Sequence, residues 1–137
     1  IWVREYPPQN GRLHATSAGV VATGSSPLTA YGFATGVPSW TVSSGSGVGD
    51  VSANGSEITL VMPASPLRVQ RRDAATGNVS GQVDLQIAGI NAYANALRVL
   101  ETGPTIVAGH GDLYYSTTFG WIAKLDESMV NLEWLTR

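Results

Sequence analysis

The chain has 137 residues, of which 13% are charged and 43% are hydrophobic, and its formal net charge is −2. This length suits one ordinary domain, or one domain with a small appendage, and the apolar fraction argues against disorder. The near-neutral charge gives no reason to expect nucleic acid or an anionic membrane surface as a partner.

The sequence contains no cysteine, which excludes disulfides, thiolate chemistry and cysteine-based metal sites. No apolar run approaches the roughly 20 residues that span a bilayer, so we expect no membrane insertion. The first residue is Ile1 rather than Met, and we therefore expect a processed product or part of a longer protein.

Residues 1–11 are predicted to form an N-terminal arm or a short edge strand. Residues 1–6 alternate weakly, and Pro7 with Pro8 ends the run because proline removes a backbone donor. Trp2 and Tyr6 are large apolar side chains that a solvated tail has no reason to display. We therefore consider both candidates for contact with a partner.

The central part of the chain has strand-like runs every eight to twelve residues, with turn signals between them. Trp40 lies in one such run, and Ile58, Leu60 and Met62 fall on one face of another because a strand repeats every two residues. A single indole among small residues suits the centre of a thin sandwich of two sheets. Trp40 is therefore predicted to be buried.

Residues 82–100 are predicted to form a hairpin. Val83, Leu85 and Ile87 alternate with polar residues, and Gly89 allows a tight reversal before residues 93–100 return. A helix over residues 91–100 is the alternative, because the apolar positions there also match helical spacing. The preceding glycine and partner strand favour the strand.

Residues 102–137 are predicted to be a C-terminal β-meander. Four short runs have strand character, namely residues 105–108, 113–117, 119–125 and 130–136. In the third of them Trp121, Ala123 and Leu125 alternate with other residues, as on one face of a strand.

Residues 39–42, 54–60 and 82–100 carry a resemblance that covers about residues 13–100. The tryptophan run, the Asn-Gly turn before an alternating strand and the hairpin resemble bacterial immunoglobulin-like domains of phage virion proteins and surface adhesins. The resemblance implies an immunoglobulin-like β-sandwich over residues 12–101 and a spacer, display or adhesion role. It implies no catalytic residues. The chain lacks the cysteine pair of antibody-type domains and a tyrosine ahead of Val83.

His110 and Asp112 stand two residues apart among glycines. The pair could join a metal site or act as an acid and a base, and the alternative is a polar turn. The Gly/Ser run at residues 44–47 superficially resembles a nucleophile elbow or a phosphate loop. Both motifs need a helix directly after them, and none is predicted, so we interpret this run as a loop at one end of the sandwich.

Two further groups of side chains are candidates for binding. Arg68, Arg71 and Arg72 could bind a phosphate, a sulfated glycan or an acidic neighbour. The simpler interpretation is that they lie on a solvated strand edge, where charge prevents aggregation. The C-terminal aromatic residues could hold sugars or proteins, and we expect one of the two tyrosines to be exposed. For the two tryptophans we favour a place in a small core. These four aromatic residues are Tyr114, Tyr115, Trp121 and Trp134.

We therefore expect an all-β protein: an immunoglobulin-like β-sandwich with a C-terminal β-meander extension. We expect no enzyme activity and no cofactor, since no nucleophile–base pair or ligand cluster is evident. The predicted function is that of a structural subunit in a virion or extracellular assembly, such as a phage tail, fibre, neck or capsid decoration. Its partners would be protein subunits of the same assembly, with Trp2 or Trp134 buried at an oligomer contact. A carbohydrate-binding or adhesion module of a secreted bacterial protein, bound to a host-surface glycan, is the alternative.

Overall fold

The computed structural model describes residues 12–24, 27–43, 48–87, 91–113, 117–129 and 131–136. They contain twelve strands: β1 (Arg12–Ala15), β2 (Gly19–Thr23), β3 (Leu28–Gly32), β4 (Pro38–Val42), β5 (Val48–Val51), β6 (Glu57–Met62), β7 (Leu67–Asp73), β8 (Val79–Leu85), β9 (Asn91–Val99), β10 (Thr105–Leu113), β11 (Thr117–Leu125) and β12 (Leu132–Thr136). Within these ranges there is no helix that is long and apolar enough to cross a bilayer.

The strands form three antiparallel sheets of four strands each. The first sheet has the order β1-β2-β3-β4, the second β5-β6-β7-β8 and the third β12-β11-β10-β9. The prediction of an all-β protein is confirmed. Each hydrogen-bonded neighbour in these sheets is also a neighbour in sequence, as in a meander. The immunoglobulin-like topology stays a prediction.

The second sheet contributes to two hydrophobic clusters, one on each of its faces. Ile58, Leu60 and Met62 of β6 pack with residues of the first sheet. Val61 of β6 points the opposite way and packs with residues of the third sheet. Residues 58–62 are therefore all buried, although the sequence pattern predicts burial for only one face of this strand.

Trp40 lies on β4, at the edge of the first sheet, and is half-buried rather than central. Its ring packs against the cluster shared by the first and second sheets, and its Nε1 donates to the Ala74 carbonyl at 2.9 Å. Gly77, at φ 74°, leaves room for the ring, since a Cβ there would lie 2.6 Å from Trp40 Cδ2. The predicted central burial is wrong: Trp40 lies on β4, an edge strand of the first sheet, and its ring is only partly covered. Among the tryptophans that the structure describes, Trp121 is the buried one, with 3% of its surface exposed.

The predicted hairpin over residues 82–100 is wrong in its pairing. β8 pairs with β7 and β9 pairs with β10, so the two strands lie in different sheets. The strand interpretation of residues 91–99 is nevertheless confirmed. Alternation reveals which face a residue occupies and not which strand lies beside it. The pairing of β9 with β10 crosses residue 102, and the division into residues 1–11, 12–101 and 102–137 stays a prediction.

The C-terminal region contains three described strands where four were predicted. β10 continues through Gly109, His110, Gly111 and Asp112, which the sequence suggested as a turn. A Cβ on Gly109 would lie within 3.0 Å of both the Tyr93 carbonyl and the Trp121 ring. This glycine therefore marks a close approach between strands rather than a loop.

Candidate functional site

The third sheet has one buried face and one exposed face. Val107 of β10 and the alternating residues Trp121, Ala123 and Leu125 of β11 form part of the core. The residues between them point away from the core, and strand register aligns them across β9, β10, β11 and β12. We call this exposed surface the outer face; it comprises Tyr93, Asn95, His110, Asp112, Thr118, Ile122, Lys124 and Trp134.

An aromatic and polar group occupies one half of the outer face. The rings of Tyr93 and His110 stack, with their centroids 5.2 Å apart and an interplanar angle of 22°. The register of β9 against β10 shifts between Ala108 and Gly109, and such a bulge re-aims a side chain. At this shift the Asn95 Oδ1 lies 2.7 Å from the His110 Nδ1. The imidazole is thus held between an amide and a phenol ring, while Tyr93 remains 49% exposed.

His110 and Asp112 point the same way from β10, but they have different partners. Asp112 accepts a hydrogen bond from Thr118 Oγ1 at 2.9 Å, whereas His110 contacts Asn95 and Tyr93. No cluster of three or more His, Cys, Asp or Glu side chains that could hold a metal occurs in the part of the chain that the structure describes. The expectation that the protein is not an enzyme stays a prediction.

Apolar side chains occupy the other half of the outer face. Trp134 on β12 is 43% exposed, and Ile122 on the neighbouring strand is 39% exposed. Lys124 lies opposite Trp134 in the register, and its Nζ forms an ion pair with Glu133 Oε2 at 2.6 Å. The core placement of Trp121 is confirmed, whereas that of Trp134 is wrong. β12 is the edge of its sheet and Trp134 points away from the core, so the described chain leaves the indole half uncovered.

The three arginines of β7 do not form one basic surface. Arg68 is paired with Asp84 at 2.8 Å, and this hydrogen bond holds the pKa of the Asp84 carboxyl below its usual range. Arg71 points to the opposite face of the sheet and donates to the backbone carbonyls of Glu127 and Gly103.

Arg72 lies on the same face as Arg68, and its hydrogen-bond partners are close to it in sequence. It donates to the Gly77 carbonyl at 2.6 Å and to Gln70 Oε1 at 2.7 Å, and burial lowers the pKa of its guanidinium. β7 lies between β6 and β8, so the interpretation of these arginines as a solvated strand edge is wrong. Sequence spacing cannot distinguish an inner strand from an edge strand.

Several predicted site residues lie outside the described residues. These are Trp2, Tyr6, Tyr114 and Tyr115, together with the Gly/Ser run at residues 44–47. Their roles stay predictions.

A cavity of about 580 Å³ lies beside the outer face, between the first residues of β9 and the segment 63–66. Its lining includes Val61, Leu67, Leu85 and Ile87, which belong to the core shared by the second and third sheets, and Tyr93. Sequence reasoning missed both Tyr93 and this cavity. The alternation of Tyr93 with Ala92 and Ala94 was the available signal, because it places the ring on the face opposite the small residues.

No protein-family model, no curated protein and no solved structure matches this chain.

Proposed function

We propose that the protein is a non-catalytic structural subunit of an extracellular or virion assembly that acts through contacts made by its third sheet. The immunoglobulin-like character of residues 12–101 belongs to this proposal, because display modules of that kind serve as spacers. The composition is compatible with such a role: the chain lacks cysteine and carries little charge.

The observation that carries the proposal is the exposure of Trp134 on the edge strand β12. An edge strand offers unpaired backbone groups to another chain, and aromatic residues dominate the binding energy of protein interfaces. Ile122 and Tyr93 extend this exposed apolar surface across the sheet on the same side. Large apolar side chains that cluster on one face mark protein contacts more often than scattered ones do.

The test is the mass of the intact chain in solution, measured by size-exclusion chromatography with light scattering over a concentration series. We expect oligomers, and we expect Trp134→Lys and Ile122→Lys each to weaken association at least tenfold. Val37→Lys is the matched control, because Val37 is 54% exposed but lies between β3 and β4 in the first sheet. A wild-type chain that stays monomeric at the highest concentration, or an equal effect of Val37→Lys, would contradict the proposal.

The stacked Tyr93–His110 pair favours a second candidate function, that of a carbohydrate-binding module. A sugar ring can stack on the free side of the Tyr93 ring while Asn95 or Asp112 receives its hydroxyl groups. A glycan array followed by titration of any ligand found tests this candidate. Tyr93→Ala should abolish binding and Val37→Ala should preserve it; a protein that binds no glycan on the array would refute the candidate.

A further inference from the structure

The turn between β5 and β6 contains an asparagine that is followed directly by a glycine. Residues 52–56 connect the two strands, and the Gly55 N–H donates to the Ser52 carbonyl at 2.8 Å, which closes the turn. Gly55 has a φ of 72°, and the neighbouring Asn54 is exposed to solvent. Because glycine has no side chain, nothing on residue 55 hinders an attack of its backbone nitrogen on the asparagine amide.

The chemistry of such a pair is a loss of ammonia. Asparagine is a thermolabile residue, and this reaction needs only water as co-reactant. The Gly55 nitrogen bonds to Cγ of Asn54, the Cγ–Nδ2 bond breaks, and the amide proton leaves with the ammonia. Water then opens the cyclic imide at either of its two carbonyls. One product is aspartate and the other is isoaspartate, whose main chain runs through the side-chain carbons and is therefore one atom longer.

The closed turn blocks the first step of this reaction. The Gly55 nitrogen can attack only after it loses its proton, which is the same loss that begins amide hydrogen exchange. An N–H that is bonded within a turn loses its proton when the turn opens locally. Because the Gly55 N–H is bonded to the Ser52 carbonyl, the rate of the reaction should follow the population of the open turn.

Three donors to the Asn54 side chain hold the turn closed. The Asn54 Oδ1 lies 3.0 Å from the Ser56 nitrogen, 2.7 Å from the Ser56 hydroxyl and 2.9 Å from the Ser52 hydroxyl. A backbone N–H can only donate, which identifies the atom that receives it as the amide oxygen. These bonds connect both ends of the turn through the asparagine, so removal of one of them should raise the population of the open turn.

The same turn connects the first sheet to the second. The Gly55 carbonyl accepts from the Ser17 N–H at 2.8 Å and from the Ser17 hydroxyl at 3.0 Å, and Ser17 lies between β1 and β2. A Cβ on Gly55 would lie 2.8 Å from the Ser17 nitrogen, so the two segments are in close contact. An additional main-chain atom at Asn54 would shift the Gly55 carbonyl away from both donors.

We propose that Asn54 is a site of spontaneous deamidation that the closed turn protects, and that isoaspartate at this position breaks the contact between the first and second sheets. The inference is independent of the proposed assembly function, because every group involved belongs to the turn or to its partners within the chain.

Peptide mapping by mass spectrometry tests the protection on the full chain in mildly alkaline buffer. Every sample carries Asn10→Gln, because Asn10 also precedes a glycine in the sequence. We expect deamidation at Asn54 to be slower in native buffer than in concentrated urea by about tenfold or more. A native rate that equals or exceeds the rate in urea would overturn the proposal.

Ser56→Ala tests the role of the side-chain bonds. It should raise the native rate by about threefold or more and leave the rate in urea unchanged. Ser80→Ala is the matched control, because the Ser80 hydroxyl donates to Glu57 Oε1 at 2.8 Å rather than to Asn54, and its native rate should equal that of the parent. An equal or slower native rate in Ser56→Ala, or an equal acceleration in Ser80→Ala, would contradict the protection.

Asn54→Asp separates the longer main chain from the added charge. Parent protein that is deamidated in urea and then refolded carries the same added charge, and part of it carries isoaspartate. We expect this protein to melt at a lower temperature than Asn54→Asp after the same treatment, or to fail to refold where Asn54→Asp succeeds. Equal melting temperatures would overturn the proposed effect on the contact between the sheets.

Discussion

Gly109→Ala should loosen the junction of β9, β10 and β11 beneath the Tyr93–His110 pair. The new Cβ would lie 2.6 Å from Trp121 Cζ2 and still nearer to the Tyr93 carbonyl oxygen. Neither neighbour is the free end of a flexible side chain: one is backbone and the other is an indole that is 3% exposed. The strands must therefore move apart.

The loss in the free energy of unfolding caused by Gly109→Ala has two contributions. Overpacking a close-packed core by a methyl group costs typically 1–3 kcal/mol. Stretching or breaking a hydrogen bond between β9 and β10 adds roughly 1 kcal/mol. We therefore expect Gly109→Ala to lower the free energy of unfolding by about 3 kcal/mol, which for a domain of this size corresponds to roughly 10 °C in melting temperature.

Gly120→Ala is the matched control on the neighbouring strand. Gly120 is exposed and pairs with His110, and among the described residues a Cβ there would meet nothing nearer than the Gly109 carbonyl oxygen, at 3.9 Å. We expect its effect to stay within about 0.5 kcal/mol. Urea unfolding of both variants, monitored by circular dichroism and tryptophan fluorescence, measures the difference. Equal stabilities of the two variants would refute the close approach that we assign to Gly109.

Other predictions concern charge, titration and the indole at the sheet edge. Arg71→Met should cost about 2–3 kcal/mol in urea unfolding, because two backbone carbonyls lose a charged donor, whereas Arg68→Met removes a solvent-exposed pair and should shift the urea midpoint far less. Similar costs would contradict these roles. Burial lowers the pKa of His14 from 6.5, opposed by Asp50, so the unfolded state binds the proton more readily. Stability should therefore fall as the pH drops below about 6.5, and His14→Gln should reduce that slope; an unchanged slope would refute this. Trp40→Phe should cost roughly 1–2 kcal/mol by leaving the Ala74 carbonyl without its indole donor, and an unchanged midpoint would contradict that hydrogen bond.

The candidate site shows where sequence reasoning was sufficient and where it was not. The sequence already identified Trp134 of β12 as a candidate. Its burial, however, depends on whether another strand lies beyond β12, which the sequence does not indicate. The residues next to Arg71 in sequence indicate an exposed cation on the surface. Its partners are instead the carbonyls of Gly103 and Glu127, 32 and 56 residues away in the chain. Tyr93 received no role because nothing local indicates that His110 lies opposite it.

The sequence by itself determined that the protein is built of strands and, for most of them, which residues share a face. The alternation of Trp121, Ala123 and Leu125 is an example, because period-two geometry is local and each residue carries its own preference for water or core. Tertiary structure alone decided that β8 and β9 belong to different sheets, that β6 is buried on both faces and that Gly109 belongs to a strand. These outcomes depend on contacts between distant segments, and a strand's own pattern does not specify its neighbour.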